Sequence, residues 1–279
     1  MDGTGPRGMM GNRLADRYGA WALVAGASEG LGAAFAVALA SRGMNVLLVA
    51  RRMDLLEGVA EDCRGRFGVE ARCLEGDLGA PGIAERLLGA VSGLEIGIVV
   101  YNAAYAPVGD FADADPADLA RVIDVNVRGP TTLLRTLLPA MVARGRGAAI
   151  LMSSLAGNQG SPGIAAYAAS KAFNRVLAEG LWSELRGRGI DVIVCCAGAI
   201  RTPGFAQASA GDAPGTLDPE IVARKALRAL GRGPVAVPGF VNGLAAWLLV
   251  RLLPRRAAIG VMAGSTSGLS RKGKGKAAS

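Results

Sequence analysis

Trp21-Ala-Leu-Val-Ala25, Gly26-Ala-Ser-Glu-Gly-Leu-Gly32 and Ala33-Ala-Phe-Ala-Val-Ala-Leu-Ala40 are the consecutive stretches that decide the fold of this chain. An apolar run typical of a buried strand leads into a glycine-rich turn, and the turn leads into a helical pattern. Because the free N–H groups and the dipole of a helix N-terminus attract anions, this order predicts a pyrophosphate site.

The three glycines of the turn have separate expected roles. We expect Gly26 to permit the tight turn, Gly30 to permit close approach of a ligand, and Gly32 to permit close packing of helix on strand. Their spacing, Gly-x3-Gly-x-Gly, is not the Gly-x-Gly-x2-Gly of the dinucleotide fingerprint. A purely structural turn is therefore the alternative.

Apolar runs of the strand type recur along the chain, and helical patterns separate most of them. They lie near residues 21–25, 45–50, 71–75, 96–101, 147–153, 190–196 and 234–237. This alternation predicts an α/β fold with one doubly wound parallel sheet of about seven strands and helices on both faces. Ligands of such sheets bind at the carboxyl ends of the strands, where Gly26, Asn102, Ser154 and Gly198 are expected.

Tyr167 and Lys171, in Ala166-Tyr-Ala-Ala-Ser-Lys171, form a candidate acid–base pair. Side chains four residues apart on a helix lie on one face, one turn apart. A phenol titrates near pH 10, and a neighbouring ammonium favours its phenolate form. Ser154 lies thirteen residues before Tyr167, at the end of an apolar run. Such a pair also arises by chance on solvated helix faces. It indicates catalysis only because the chain also contains the glycine-rich turn of a cofactor site.

With both motifs present, the chain resembles the short-chain dehydrogenase/reductase family over about residues 18 to 240. The resemblance implies a Rossmann-type sheet and a catalytic tetrad of Asn126, Ser154, Tyr167 and Lys171. The chain departs from the family pattern on supporting positions only, at Ala25, Ala104 and Ala197. The expected cofactor contacts are Gly26, Ser28, Gly30, Leu31, Gly32, Arg51, Arg52, Asp77, Leu78, Asn102, Ala103, Tyr167, Lys171, Gly198, Ile200 and Thr202.

The end of the second predicted strand indicates the preferred cofactor. An acidic residue there would bind the 2′-hydroxyl of NAD, whereas a nearby arginine accommodates the 2′-phosphate of NADP. Ala50 stands where the acid would be, and Arg51 and Arg52 follow it. We expect NADP(H) to be preferred through Arg51, with Arg52 second and NAD(H) as the alternative cofactor. Two arginines at a solvated helix start are the alternative interpretation.

The resemblance implies an oxidoreductase that interconverts a ketone and a secondary alcohol by hydride transfer. Tyr167 would exchange the proton with the substrate oxygen, and Ser154 would hydrogen-bond that oxygen. Lys171 would lower the pKa of the tyrosine and bind the nicotinamide ribose. Asn126 would hold a water that passes protons to Lys171, and Asp77 would hold the adenine.

Two other functions are alternatives to this enzyme. A non-catalytic NADP-binding sensor on the same fold is the main alternative, but the complete tetrad favours catalysis. An epimerase or dehydratase of the extended branch would be longer and carry another glycine spacing. We expect an apolar ketone or alcohol as substrate, as in reductases of hydroxysteroids, 3-oxoacyl chains and bulky ketones, and a homodimer or homotetramer as the assembly.

Composition excludes several function classes. The chain contains no histidine, which excludes Ser-His-Asp hydrolysis and His-ligated zinc, and no metal is predicted. Cys63, Cys73, Cys195 and Cys196 form no Cys-x-x-Cys pair, so reduced core thiols are expected. Residues 1–17 lack the apolar core of a signal peptide, which favours a cytoplasmic location. No nucleic-acid partner is expected, because the basic tail has no interleaved aromatic residues.

The segments outside the core are assigned from composition. Residues 1–17 are predicted to be flexible, 18–242 to form the catalytic domain, 243–264 an apolar and basic helical segment, and 265–279 a disordered basic tail. The loop over residues 203–217 is predicted to be a substrate lid. After it, Asp218 and Pro219 read as the N-cap and first-turn proline of a helix.

The segment 243–264 admits two interpretations. It combines leucines and Trp247 with three arginines, and Arg251 and Pro254 interrupt the apolar run, so a clean membrane span is not predicted. Docking over the substrate entrance or a subunit contact is the favoured prediction. The alternative is an interfacial helix on an anionic membrane surface, which would make the cytoplasmic protein membrane-associated.

Overall fold

The strands of the chain are β1 (Trp21–Ala25), β2 (Asn45–Ala50), β3 (Ala71–Glu75), β4 (Ile96–Tyr101), β5 (Gly147–Ser154), β6 (Ile190–Ala197) and β7 (Val235–Ala236). The computed structural model describes residues 13–203 and 214–273. In it the seven strands form one parallel sheet in the order β3-β2-β1-β4-β5-β6-β7. The predicted doubly wound sheet is confirmed, and its order reverses between β1 and β4, where the crevice of such folds opens.

Helices cover both faces of the sheet. They are α1 (Arg13–Tyr18), α2 (Gly30–Ala40), α3 (Met53–Phe67), α4 (Ile83–Val91), α5 (Pro116–Ile123), α6 (Gly129–Arg144), α7 (Ala165–Leu185), α8 (Pro219–Ala229), α9 (Phe240–Arg251) and α10 (Arg255–Gly273). A π-helical turn, Asp124–Arg128, joins α5 to α6, and a 3-10 turn, Leu155–Asn158, follows β5.

Two apolar cores lie on opposite sides of the sheet, because successive strand side chains point to opposite faces. On one side Val24 packs with Phe35 of α2, and on the other Leu23 packs with Leu133 of α6. Burial of both faces explains why the strands read as continuous apolar runs in the sequence. The cores hold α2 and α7 in place, and these helices carry the glycine turn and the Tyr167–Lys171 pair.

The N-terminal prediction needs a correction. Residues 13–17 were included in the predicted flexible segment, but they lie in α1. Arg17 donates a hydrogen bond to Asp191 of β6 at 2.7 Å, and the Tyr18 hydroxyl donates to the same carboxylate at 2.7 Å. These contacts across the sheet, together with the buried Tyr18 ring, fix the helix. Residues 1–12 of that prediction lie outside the described residues.

The C-terminal boundaries also differ from the predicted 243–264. Helix α9 begins earlier, at Phe240, and α10 continues to Gly273, into the stretch predicted as a disordered tail. The helices break at residues 252–254, because Pro254 cannot continue the hydrogen bonding of α9. Residues 274–279 of the predicted tail lie outside the described residues.

The predicted lid is described only at its two ends, since residues 204–213 lie outside the described residues. Ile200 and Leu217 form a parallel bridge that closes these ends together. The predicted cap of α8 is corrected in one respect. Asp218 precedes the helix and Pro219 is its first residue, but the Asp218 carboxylate bonds Arg201 at 2.6 Å instead of capping the helix.

Three further sequence expectations concern the described residues. The four cysteines are free, and Cys63, Cys195 and Cys196 are buried. No group of three or more metal-ligating side chains occurs among the residues described. In the same part of the chain, every helix is too short or too polar to cross a membrane.

Candidate active site

The glycine turn after β1 is shaped by backbone contacts that exclude side chains. Gly26 has φ +82°, and a Cβ there would lie 2.6 Å from the Ala103 nitrogen. A Cβ on Gly32 would lie 1.9 Å from the Gly26 carbonyl oxygen. Asn102, at the end of β4, donates from Nδ2 to that same oxygen at 3.0 Å. The turn is therefore clamped between β4 and the start of α2.

The N-terminus of α2 can hold an anionic group. Glu29 precedes the helix without a side-chain cap, and the N–H groups of Gly30, Leu31 and Gly32 have no backbone acceptor among the described residues. Gly30 has φ +54°, and a Cβ on it would lie 3.0 Å from Thr202 Cγ2. The turn thus packs closely against Thr202 after β6, and no side chain fits at Gly30.

The two arginines after β2 have different surroundings. Arg52 pairs with Glu29 at 2.6 Å and donates to Ser28 Oγ at 3.2 Å. Arg51 is exposed and pairs with no carboxylate among the described residues. The cation nearest the glycine turn is therefore already neutralised, and Arg51 is the cation left for a phosphate.

Asp77, predicted to hold an adenine, is held by Arg121, which the sequence analysis did not single out. Arg121 of α5 donates to Asp77 Oδ2 at 2.6 Å, and the Gly79 N–H donates to Oδ1 at 2.9 Å. Burial by itself raises the pKa of Asp77, but the Gly79 bond, Arg121 and Arg51 together hold it below its usual value. The following Leu78 is buried.

Ser154, Tyr167 and Lys171 meet at the carboxyl end of β5, as predicted. The Tyr167 ring is partly buried, and its phenol interacts with the Ser154 hydroxyl. Lys171 is buried, and its Nζ atom lies 5.5 Å from the centre of the Tyr167 ring. Nζ donates to the Met152 carbonyl oxygen at 3.0 Å. A hydroxyl, a phenol and an ammonium thus lie together at the edge of the sheet that also carries the glycine turn.

The electrostatics of this group differ from the sequence expectation in one respect. Burial raises the pKa of Tyr167, and the hydrogen bond with Ser154 is what lowers it in part. The sequence predicts that the Lys171 charge lowers the pKa of Tyr167. Burial, however, lowers the pKa of Lys171 itself to about 8, which makes its charged form less stable. The nearby Cys196 side chain acts against burial and raises the pKa of Lys171.

Asn126 lies in the π-helical turn and is fully buried. Its Oδ1 accepts from the Tyr105 N–H at 2.8 Å, and its Nδ2 donates to the Tyr105 carbonyl at 2.8 Å and to Ser170 Oγ at 3.0 Å. Ser170 Oγ in turn donates to the Tyr167 carbonyl at 2.7 Å. The Asn126 side chain therefore ties the π turn to α7.

The residues after β6 are held by Asn242, a second residue that the sequence analysis missed. Gly198 has no room for a side chain, since a Cβ would lie 2.7 Å from Asn242 Oδ1. Asn242 is buried and donates from Nδ2 to the Gly215 carbonyl at 2.9 Å and the Pro238 carbonyl at 3.0 Å. Helix α9 therefore stands beside Gly198, which was predicted to contact the cofactor.

The C-terminal helices also contact the turn that follows Ser154. Arg255 donates to the Asn158 carbonyl at 2.8 Å, and a Cβ on Gly160 would lie 3.8 Å from Ile259. Packing of α9 and α10 on the catalytic body agrees with the favoured docking prediction. Cover of the substrate entrance itself stays a prediction.

Comparison with known proteins gives a consistent result. The model of the family described as short chain dehydrogenase matches residues 20–213. The chain is similar to a 7beta-hydroxysteroid dehydrogenase of Clostridium sardiniense, with 34% identity over 230 residues that make up 81% of this chain and 88% of the relative.

Two solved structures are similar over most of the chain. A 7beta-hydroxysteroid dehydrogenase studied for its stereoselectivity matches with a TM-score of 0.85 and 31% identity, covering 89% of this chain and 98% of the other. A short-chain dehydrogenase from Sphingobium yanoikuyae in complex with NADPH matches with a TM-score of 0.75 and 30% identity, covering 88% and 94%.

Proposed function

Because this chain belongs to the short-chain dehydrogenase family, we propose that it is an NADP(H)-dependent enzyme that interconverts a ketone and a secondary alcohol. The observation that carries the proposal is the meeting of Ser154, Tyr167 and Lys171 at the sheet edge that also carries the glycine turn. These three residues lie on two elements, β5 and α7, that the apolar cores hold rigidly. A sensor protein would have no need of this arrangement.

Tyr167 acts as the acid in reduction and the base in oxidation. Burial raises the pKa of its phenol, so the hydroxyl is protonated at neutral pH and ready to donate to a carbonyl oxygen. Ser154 interacts with the phenol and hydrogen-bonds the same substrate oxygen. When bound, the nicotinamide supplies the hydride. Two hydroxyl donors directed at one carbonyl oxygen favour its conversion to an alkoxide.

Lys171 supplies positive charge beside the phenol. With a pKa of about 8, it is mostly charged at neutral pH despite its burial. A charge near the ring favours the phenolate that oxidation of an alcohol requires. The bond to Met152 uses one of the three donors of the ammonium, which leaves two for ribose hydroxyls of the cofactor.

Asn126 acts as a positioning residue. Both amide hydrogens of its side chain are used by Tyr105 and Ser170. A relay water at this residue is therefore held by the backbone carbonyl of Asn126 rather than by its side chain. The side chain keeps the π turn, and with it that carbonyl, in a fixed place beside α7.

The preference for NADP(H) rests on Arg51. Arg52 pairs with Glu29, and Asp77 pairs with Arg121 while interacting with Arg51 only at longer range. Arg51 forms no ion pair among the described residues, so its guanidinium can contact a 2′-phosphate. An arginine guanidinium matches the geometry of a phosphate in two-donor contacts. The structural neighbour from Sphingobium yanoikuyae, which holds NADPH, supports the same choice.

We assign the substrate to the bulky apolar ketones, with hydroxysteroids as the first class to test. The relative from Clostridium sardiniense is a 7beta-hydroxysteroid dehydrogenase. Helices α9 and α10 pack against the turn after Ser154 and beside Gly198, which provides a wall next to the reacting groups. Such a wall suits a large substrate with few polar groups.

A panel of oxo-steroids, 3-oxoacyl thioesters and bulky aryl ketones, followed by NADPH absorbance, tests the proposal. We expect turnover of at least one bulky ketone and its loss in Tyr167→Phe. A protein that binds NADPH tightly but turns over no ketone or alcohol would instead support the sensor function.

A further inference from the structure

Helix α9 carries an apolar stripe on its outward face. Phe240, Val241, Leu244, Trp247 and Leu248 follow the spacing of one helix face, and all are exposed. Phe240 is 84% exposed and Trp247 is 53% exposed. The opposite face of the same helix packs inward through the buried Asn242. The contact of Asn242 with the catalytic body therefore sets the orientation of α9, and in this orientation the apolar stripe is uncovered.

Further large apolar residues of the same segment are exposed. Leu252 and Leu253 in the break after α9 are exposed, and so is Val261 of α10. We name these eight residues the outward apolar surface. Contiguous exposed apolar areas of this kind mark interaction sites, because isolated apolar residues rather than clusters are normal on soluble proteins.

The charged residues of the segment that carries this surface all have one sign. Arg251, Arg255 and Arg256 lie at the end of α9 and the start of α10, and they are exposed. Residues 240–279 contain seven basic residues in all and no aspartate or glutamate. The partner of the surface must therefore supply negative charge beside an apolar phase.

A second copy of the chain does not meet this requirement through the same face. A two-fold contact brings the same patch of both subunits together. It would place the three arginines of each copy near those of the other, with no acidic residue in either segment to neutralise them. Anionic lipid offers both the apolar phase and the negative charge.

We propose that the outward apolar surface rests on an anionic membrane surface, with α9 lying in the plane of the interface. Trp247 would sit at headgroup depth, where tryptophan is enriched, and Phe240 and the leucines would enter the acyl boundary. Arg251 and Arg256 would contact the phosphates. The inward face stays docked on the catalytic body, so docking and membrane contact involve opposite sides of the same segment.

Vesicle flotation tests the proposal with the full-length protein. Vesicles of phosphatidylcholine alone are compared with vesicles of phosphatidylcholine and phosphatidylserine in equal parts. We expect binding to the anionic vesicles that weakens with added salt. The double variant Phe240→Ser, Trp247→Ser should lose binding, whereas Leu88→Ser, an equally exposed leucine on α4, should not.

A second variant pair isolates the charge. Each arginine near an anionic surface contributes about 1 kcal/mol, so Arg251→Gln, Arg256→Gln should lower the partition coefficient roughly 30-fold. The matched control is Arg188→Gln, Arg232→Gln, which removes two exposed arginines elsewhere. Binding of NADPH, measured by fluorescence, checks that every variant is folded.

Three outcomes overturn the proposal. Equal binding to neutral and anionic vesicles would show that the arginines do not contribute to membrane binding. Unchanged binding in Phe240→Ser, Trp247→Ser would place the membrane contact elsewhere. A smaller oligomer of that variant in analytical ultracentrifugation, without vesicle binding by the wild type, would assign the surface to contact between subunits.

Discussion

The Nζ atom of Lys171 lies 5.5 Å from the centre of the Tyr167 ring, and it donates a hydrogen bond to the carbonyl oxygen of Met152 in β5 at 3.0 Å. Helix α7 sets their spacing, and the strand carbonyl sets the direction of the ammonium. The lysine charge is thus placed beside the phenol by tertiary packing as well as by the one-turn spacing.

Replacement of Tyr167 by phenylalanine removes the hydroxyl and keeps the ring. Because a general acid or base contributes about 10²–10⁴-fold, we expect turnover of an identified ketone to fall by that factor. NADPH binding should be nearly unchanged, since the glycine turn and Lys171 remain. Near-normal turnover in this variant would refute the acid–base role, and a loss of stability with activity per folded molecule intact would indicate a structural one.

Ser154 and its neighbour Ser153 form a matched pair of variants. The Ser153 hydroxyl donates to the Lys171 carbonyl at 2.7 Å, whereas the Ser154 hydroxyl interacts with Tyr167. Ser154→Ala should lower turnover roughly 10²-fold, the effect of losing one donor to a developing oxyanion. Ser153→Ala should mainly lower the free energy of unfolding, by about 1 kcal/mol. Steady-state kinetics and thermal unfolding separate the two, and equal kinetic losses would contradict the assignment.

The pH dependence of ketone reduction should report the charge of Lys171. Burial lowers its pKa to about 8, while the Tyr167 pKa is raised, so the lysine loses its proton first as pH increases. We expect kcat/KM for reduction to fall above about pH 8. Lys171→Arg keeps its charge to far higher pH, so any activity it retains should show no such fall. A wild-type kcat/KM that stays constant to alkaline pH would contradict the assignment of this fall to loss of the Lys171 proton.

Arg51 and Arg52 should differ in their effect on cofactor choice. Arg51→Ala removes a charged contact to the 2′-phosphate, which contributes about 1.5–3 kcal/mol. The ratio of kcat/KM for NADPH over NADH should therefore fall about 10- to 100-fold. Arg52→Ala leaves Glu29 unpaired at the glycine turn and should weaken both cofactors alike. If Arg52→Ala changed the ratio and Arg51→Ala did not, Arg52 would be the phosphate ligand.

Asn242 should support both stability and the site. Asn242→Ala leaves the Gly215 and Pro238 carbonyls without their donor, at a cost of about 1–3 kcal/mol in the free energy of unfolding. Looser seating of α9 beside Gly198 should raise KM for bulky ketones more than for small ones. Asn45→Ala, at a partly exposed asparagine that accepts from the Glu70 N–H, is the control. An equal rise in KM for small and bulky ketones would argue against a substrate wall.

The amino-acid sequence determined the sheet, the glycine turn and the Tyr167–Lys171 pair. Continuous apolar runs predict strands buried on both faces, and a strand, turn and helix in succession require no knowledge of the rest of the chain. The strands near 45–50, 71–75 and 96–101 were located to the residue in this way. Signals of this kind are local, because backbone conformation and burial period depend on neighbouring residues.

Only the tertiary structure decided which polar side chains pair with one another. Asp77 and Arg121 are 44 residues apart, and Asn242 meets Gly215 from 27 residues away. It also showed that the side chain of Asn126 is occupied and that the burial of Tyr167 and Lys171 opposes their ionisation. No local pattern encodes these contacts, because a side chain's partner and its exposure to water depend on which distant segments the packed core brings against it.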